Sequence, residues 1–320
     1  MAEPRQHHAE HTLTVSAPPA ALYRLVSDVS VWPAVFGPTV HVHHLEHGAD
    51  SERFQLWATV NGEVVNWVSQ RAFDERQLRI TFRQERSRNP LIGSMGGEWQ
   101  FLDLGDGRTE VVLRHHFTAA DDEQSTVDLI NLALDTNSAR ELGALAAIAE
   151  LGHPVEDVVF SFTDTVEFDG PVEAAYEFVN RADLWAERLP HVARVGFTEP
   201  SPGVQTLEMD TRTADGSTHT TESIRVCRPG EWIAYKQLRT PKLMTGHSGL
   251  WSFGTDEAGR PVVTARHTVA VNPAAVEEVL GAGKTLADAR DYLRDALGRN
   301  STATMSHAAR HAASASVTVR

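Results

Sequence analysis

The chain repeats itself, and the length of the repeat limits what it can fold into. LYRLVSDVSVWPAVFGP at 22–38 is matched by AYEFVNRADLWAERLPH at 175–191. Trp32 and Trp185 stand 153 positions apart, as do Pro18 and Pro171. Asn61-Gly62 is matched by Asp215-Gly216, each a two-residue hairpin signal between strand-like runs. Ser69 and Arg71 are matched by Ser223 and Arg225 at a spacing of 154. GEWQF (97–101) is matched by GLWSF (249–253), and Arg114-His115 by Arg266-His267, both at 152. Drifts of one or two positions fit small insertions or deletions in loops. A period this long is a duplicated domain rather than a solenoid. The join is expected at LGHPVED, 151–157, which gives domains at 1–153 and 154–300.

Both copies read alike. A strand (HTLTVSA, TDTVEFDG) leads into a Pro-started helix. Several antiparallel strands with turn signals follow, and a long amphipathic helix closes the copy, over roughly 123–149 and roughly 273–298. In the first of these helices Leu134, Ser138, Leu142, Leu145 and Ile148 share one stripe. That order defines an α+β domain with helices on one face of an antiparallel sheet. A curved sheet around a long helix leaves an internal cavity between them. The Ala/Ser-rich stretch NSTATMSHAARHAASASVTVR is expected to make 301–320 a disordered tail.

With 320 residues and 41% hydrophobic content, the chain can fill two cores. Its formal charge of −14 speaks against nucleic acid and anionic membranes as partners, since both select a basic footprint. The single cysteine, Cys227, permits no internal disulfide and suits a reducing cytoplasm. MAEPRQHHAEH has no apolar segment, so no secretory signal is expected there, and no run is long and apolar enough to span a membrane.

The strand NWVSQRAFD (66–74) poses a chemical question. Side chains alternate along a strand, so Val65, Trp67, Ser69, Arg71 and Phe73 share one face, the one with the larger apolar groups. Arg71 then points inward, as does Arg225 on the face shared by Thr221, Ser223 and Cys227. A lone inward arginine usually signals a buried ion pair or a side chain reaching for the rim. Two matched Ser-x-Arg elements favour a ligand oxygen as the partner, because burying an uncompensated guanidinium costs several kcal/mol. Such a group cannot serve as a base, but it can stabilise an enolate or alkoxide oxygen.

In this order — an early Trp after the first helix, a W-x-S-x-R strand, a G-x-W strand and a long final helix — the chain resembles the bacterial aromatic polyketide aromatase/cyclases. These belong to the helix-grip superfamily, with the START domains and the birch-pollen allergens. The duplication resembles their di-domain branch, and the likeness covers about 11–299. It implies two tandem helix-grip domains and a cofactor-free enzyme. The enzyme would take a poly-β-ketone chain, usually already ketoreduced, from an acyl carrier protein of a type II synthase. It would close the first ring by an aldol step and promote loss of water. By resemblance Trp32, Phe36, Trp67, Ser69, Arg71 and Trp99 line the first pocket, and Trp185, Ser223, Arg225 and Trp251 the second. Ser69, Arg71, Ser223 and Arg225 would carry the chemistry. Thr221 stands where the first copy has Trp67, so the first pocket has the fuller aromatic wall. A proton donor for dehydration could be His115 or His116, although Arg114-His115 also fits a strand end.

HVHHLEH (41–47) places His41 and His43 on one strand face; with no acidic or cysteine cluster beside it in sequence, it reads as a hydrated strand edge and no metal is expected. IGSMGG (92–97) lacks the Lys-Ser/Thr of a phosphate loop. Neither a nucleophile elbow nor a dinucleotide fingerprint occurs. FRQERSRNP (82–90) offers Arg83, Arg86 and Arg88 as a local basic patch for an acidic carrier protein. Two other readings compete: a non-enzymatic carrier of hydrophobic ligands, with aliphatic walls and no inward arginine, and a scaffold, with an arginine sealed by a carboxylate.

Overall fold

In a computed structural model the chain divides into two compact units, Met1–Val155 and Glu156–Arg320. The structure describes residues 4–60, 62–85, 89–121, 123–212, 216 and 218–318. The first unit runs β1 (Gln6–Val15), α1 (Pro19–Ser27), α2 (Trp32–Val35), β2 (Thr39–His47), β3 (Ser51–Val60), β4 (Glu63–Asp74), β5 (Arg79–Gln84), β6 (Ile92–Gly105), β7 (Arg108–Ala119) and α3 (Gln124–Ala149). A single turn, α4 (Val155–Val158), lies at the division. The second unit repeats the plan with β8 (Val159–Glu167), α5 (Val172–Asn180), α6 (Trp185–Arg188), β9 (Val192–Ser201), β10 (Val204–Arg212), β11 (Thr218–Arg228), β12 (Trp232–Arg239), β13 (Met244–Thr255), β14 (Pro261–Val271), α7 (Val276–Leu280) and α8 (Leu286–Thr318).

Each unit has one seven-stranded antiparallel sheet, ordered β1-β7-β6-β5-β4-β3-β2 in the first and β8-β14-β13-β12-β11-β10-β9 in the second. The long helix of each lies against the strand that opens the copy and the strand that closes it. Sequence dictates this locally. Pro18-Pro19 and Pro171 fix the entry into α1 and α5, where a missing N–H costs nothing. The stripe Leu134, Ser138, Leu142, Leu145 and Ile148 is buried along α3 as its spacing requires. Inward positions of the strands alternate with outward ones, so Phe101, Trp99 and Met95 face the helix side with Val111, Leu113 and Phe117 opposite them.

One expectation fails. Residues 301–318 are not a disordered tail but the second half of α8. Ser301, Thr304, Met305, Ala308 and Ala312 are buried at helical spacing, and Met305, Ala308 and Ala312 pack with Tyr176 and Phe178 of α5 in the main core of the unit. Small side chains there let the helix approach closely. Gly170, at φ +113°, sits against the carbonyl of Ala312, where a Cβ would come within 2.3 Å of the oxygen. The helix expected at 273–298 is also later and longer. Gly281 and Gly283, both at positive φ, break it after α7, and α8 begins at Leu286.

Candidate active site

The matched arginines sit in matched rows across the inner faces of the two sheets. In the first unit the row runs Glu52 (β3), Arg71 (β4), Phe82 (β5), Gly97 (β6) and His115 (β7), each opposite the next. In the second it runs Gln205 (β10), Arg225 (β11), Tyr235 (β12), Gly249 (β13) and His267 (β14). The glycines have a reason: a Cβ on Gly97 would lie 2.0 Å from the Arg114 carbonyl oxygen and 2.6 Å from the Phe82 ring, and one on Gly249 would lie 2.4 Å from the Tyr235 ring. Each lets the neighbouring aromatic ring lie flat across its strand. The rows differ at two positions, Glu52 against Gln205 and Phe82 against Tyr235, and these two exchanges change the chemistry.

In the first row the guanidinium is sealed. Arg71 is 3% exposed. Its Nε donates to Glu52 Oε1 at 2.7 Å, Nη1 to the Val26 carbonyl at 2.8 Å and Nη2 to that of Ser27 at 2.5 Å. Nη2 also lies 2.6 Å from Glu52 Oε1. The rings of Trp32, Phe73 and Phe54 surround its Cζ at 5.0, 5.1 and 5.5 Å. Burial raises the Glu52 pKa, but hydrogen bonding to His44 and the Arg71 charge outweigh it and hold the carboxyl below its usual range. The expected unpaired Arg71 is thus corrected: the carboxylate opposite it and the end of α1 take its donors. Arg71 anchors α1 to the sheet.

In the second row the guanidinium is equally buried but keeps an unfilled donor. Arg225 is 2% exposed, and Nη2 donates to the Val179 carbonyl at 2.8 Å, the counterpart of the Arg71–Val26 contact. Nη1 has no hydrogen-bond partner among the described residues, nor do Gln205 Oε1 and Trp185 Nε1. The Trp185 ring covers Cζ at 5.2 Å. Desolvation lowers the Arg225 pKa; the charges of Glu199 and Asp183 oppose it from a distance, and among the described residues no carboxylate is hydrogen-bonded to it. Along the same row Tyr235 Oη lies 3.1 Å from His267 Nδ1, which lies 3.0 Å from His247 Nε2. The His267 ring stacks on Phe162 at 4.9 Å. Burial pushes His267 down to about 4 and His247 well below its ordinary value, so both are neutral imidazoles near pH 7. Burial also raises the Tyr235 pKa, so the phenol keeps its proton. This constellation combines a fixed cation for an oxyanion, a proton acceptor and a proton donor.

The structure gathers some of the expected residues and separates others. Trp32 meets Phe36 edge-on at 5.4 Å, and both Trp32 and Trp67 pack on the Val29, Phe54 and Leu56 cluster beside Arg71. Ser69 and Ser223 are buried on the inner faces. Trp99 lies two strands from β4 and stacks on Phe101 at 6.4 Å. Trp185 and Trp251 belong to one core cluster. Cys227 is a thiol that burial pushes up to about 11, consistent with a packing role. His115 faces inward with its pKa at about 4, whereas His116 points outward. A groove of about 920 Å³ crosses the outer face of the first sheet, bordered by Arg53, Gln70, Arg83, Glu98, Arg114 and His116. Arg83 donates to Gln70 at 2.7 Å there; Arg86 and Arg88 lie outside the described residues. Sequence reasoning missed Glu52, Gln205, Tyr235 and His247. The matched Arg114-His115 and Arg266-His267 pairs were the visible trace of the inward histidines.

Comparison with known proteins agrees with this architecture. Residues 15–122 match the family described as polyketide cyclase/dehydrase and lipid transport. The granaticin polyketide synthase bifunctional cyclase/dehydratase of Streptomyces violaceoruber is 61% identical over 96% of this chain and 94% of its own length. The actinorhodin polyketide synthase bifunctional cyclase/dehydratase of Streptomyces coelicolor is 51% identical over 99% of this chain and 100% of its own. Among solved structures, the di-domain ARO/CYC BexL of the BE-7585A biosynthetic pathway superposes with a TM-score of 0.82 at 47% identity, covering 96% of this chain and 98% of that one. The chain belongs to the di-domain polyketide cyclase/dehydratases and is an enzyme of that family, not a ligand carrier. No described helix is long and apolar enough to cross a membrane.

Proposed function

We propose that this enzyme closes and aromatises the first ring of a ketoreduced poly-β-ketone held on an acyl carrier protein, with the proton transfers carried by the second unit. The observation behind that assignment is the row Arg225–Tyr235–His267, which pairs a buried guanidinium that has an unfilled donor with a neutral base and a protonated phenol. A methylene between two ketones is already acidic, so a modest base suffices when the enolate oxygen is stabilised. His267 removes that proton. The enolate carbon attacks the target ketone, a carbon–carbon bond forms, and the new alkoxide accepts a proton from Tyr235 or its imidazole partners. Arg225 stabilises the charged oxygen in both steps. Loss of water follows as a base takes the adjacent C–H proton and the hydroxyl leaves protonated. Trp185 and Trp251 offer flat walls for the planar product. Ser223 hydrogen-bonds a ketone from the same face. Much of the barrier is conformational, and binding that holds the reacting carbons together lowers it.

In this reading the first unit, with Arg71 sealed by Glu52, keeps a binding role of its own for Trp32, Phe36, Trp67 and Trp99, with Ser69 as a hydrogen-bond partner. The test is product analysis with a minimal synthase and a ketoreductase. Arg225→Ala should lower the rate of aromatised product about 10²–10³-fold. Tyr235→Phe, which copies the first row's Phe82, should cost activity without unfolding the protein. Aromatised product at the wild-type rate from a folded Arg225→Ala protein would overturn the assignment to the second unit. For delivery, Arg86 and Arg88 form the docking patch that a protein of charge −14 needs to meet an acidic carrier. Arg86→Glu with Arg88→Glu should weaken carrier binding, and unchanged carrier titration would rule the patch out. With one cysteine, Cys227, the chain can form no internal disulfide, which fits work in the cytoplasm beside the other synthase components.

A further inference from the structure

We propose that His44, His47 and Glu52 form a binding site for one zinc-like divalent cation at the edge of the first sheet. The side-chain donor atoms of these residues all lie within 4.8 Å of one another. His44 Nε2 stands 2.8 Å from Glu52 Oε2, and His47 Nδ1 stands 3.5 Å from the same oxygen. Tetrahedral zinc with ligands at about 2.0–2.1 Å separates neighbouring ligand atoms by about 3.3 Å, a value between those two distances.

Three features make this a built site. The first is the strand itself. In a regular strand His44 and His47 would point to opposite faces, because their separation is odd. The pairing of β2 with β3 shifts register between His44 and Glu46, and the bulge brings both imidazoles to Glu52. Bulges re-aim side chains in this way next to sites. The second is the carboxylate. The Glu52 side chain is 1% exposed and its Oε1 is held by Arg71, which leaves Oε2 as a fixed, ionised ligand. That arrangement supplies the outer-shell support metal ligands need. The third is crowding: two imidazoles converge on one oxygen with their ring centroids 4.9 Å apart, and only His44 is within hydrogen-bonding distance. A cation between them satisfies all three donors. β2 is the sheet's edge strand and the His47 side chain is 68% exposed, so the ion has a way in and a fourth position for water. Histidine and carboxylate donors in this number suit Zn²⁺ over Ca²⁺ or Mg²⁺. The ion would tie β2 to β3 and fix the carboxylate that holds Arg71.

The full-length chain, without a histidine tag, should be titrated with Zn²⁺ against a chromophoric chelator, and with Co²⁺ followed by its visible absorption. One equivalent should bind, with cobalt bands of a low-symmetry four- or five-coordinate site. His44→Ala and His47→Ala should each weaken that equivalent at least about tenfold. Both positions are exposed enough for the variants to stay folded, which circular dichroism checks. Zinc should raise the melting temperature of the wild type and not of the double variant. The chain has 16 histidines, so weak binding elsewhere is controlled by the double variant. No one-equivalent site, or a site that survives His44→Ala with His47→Ala, overturns the proposal.

Discussion

A single atom's difference, carboxylate oxygen for amide nitrogen, separates the two arginines. Glu52 stands opposite Arg71, and Gln205 stands opposite Arg225. Glu52→Gln should therefore destabilise the first unit by about 3–5 kcal/mol, since it leaves a buried guanidinium without its counter-charge. Urea unfolding followed by the signal of residues 1–155 measures it. The linkage has a definite sign. The Glu52 pKa is lowered in the folded chain, so its contribution is complete above the ordinary carboxylate value and is lost as pH falls through the lowered one. The reciprocal change, Gln205→Glu, should seal Arg225, keeping the second unit folded while aromatisation drops. Undiminished turnover by folded Gln205→Glu protein would show that an unfilled guanidinium donor is not needed. Half of this contrast was legible beforehand. The turn at 61–62 pairs Val60 with Glu63, and the ladder then runs without a slip to Glu52 and Arg71. The second hairpin misleads. Asp215 lies outside the described residues, and β10 and β11 pair as Arg212 with Thr218, a five-residue connection. A two-residue turn at 215–216 would have put Thr206 opposite Arg225. A one-residue change of register exchanges the two faces, and Gln205 was hidden by it.

At the scale of elements, composition proved a poorer guide than periodicity. The stretch from 301 is rich in Ala and Ser and was expected to be disordered, yet alanine is the strongest helix former and its small residues recur every three or four positions. Ser301, Thr304, Met305, Ala308 and Ala312 form the buried stripe of α8 against α5. The α3 stripe was readable because leucines marked it; in α8 the same geometry is written in small side chains, whose burial matters through close approach rather than area. Ending the chain at residue 300 should uncover Tyr176 and Phe178 and remove Met305 from the core. At about 1.5–3 kcal/mol for each large apolar side chain exposed, the loss is comparable with the roughly 5–15 kcal/mol that keeps a domain folded. The shortened protein should lose the second unit's near-ultraviolet circular dichroism and become protease-sensitive there, with the first unit unaffected. A native-like second unit in that protein would mean that the last turns of α8 add little. The matched glycines of the G-x-W strands are a further element-scale reading: the motif was visible, but its cause, an aromatic ring crossing each strand, needed the register.

Over the whole molecule, the titrating groups are shared unequally between the units. Burial lowers His41 to about 3 and His115 to about 4 in the first unit. In the second it lowers His267 to about 4, His247 well below its ordinary value, and also His191, His219 and His307. An unfolded imidazole takes up its proton near pH 6.5. A folded one with a lowered pKa does so only at lower pH, so the unfolded state binds more protons in between and stability is lost as pH falls through that window. Each such group contributes at most about 1.4 kcal/mol per pH unit in that window. The first unit has an opposing group. Glu141 on α3 is raised to about 7 by desolvation, so it is protonated when folded and stabilises as pH drops from 7 toward 4.5. The second unit has no such offset among its resolved carboxyl shifts: Asp183, Glu208, Asp210, Asp256 and Asp288 are all lowered. The two units should consequently part in acid, the second melting at a temperature that falls more steeply than the first between pH 6.5 and pH 4.5. Their repeated cores and the division after Val155 make residues 1–155 and 156–320 suitable as separate pieces for assigning the two transitions by calorimetry. His247→Met, which restores the residue of the first copy at Met95, should flatten the second unit's dependence on pH while keeping its volume. Equal slopes for the two units, or a slope untouched by His247→Met, would show that the buried imidazoles of the second unit do not govern its acid sensitivity.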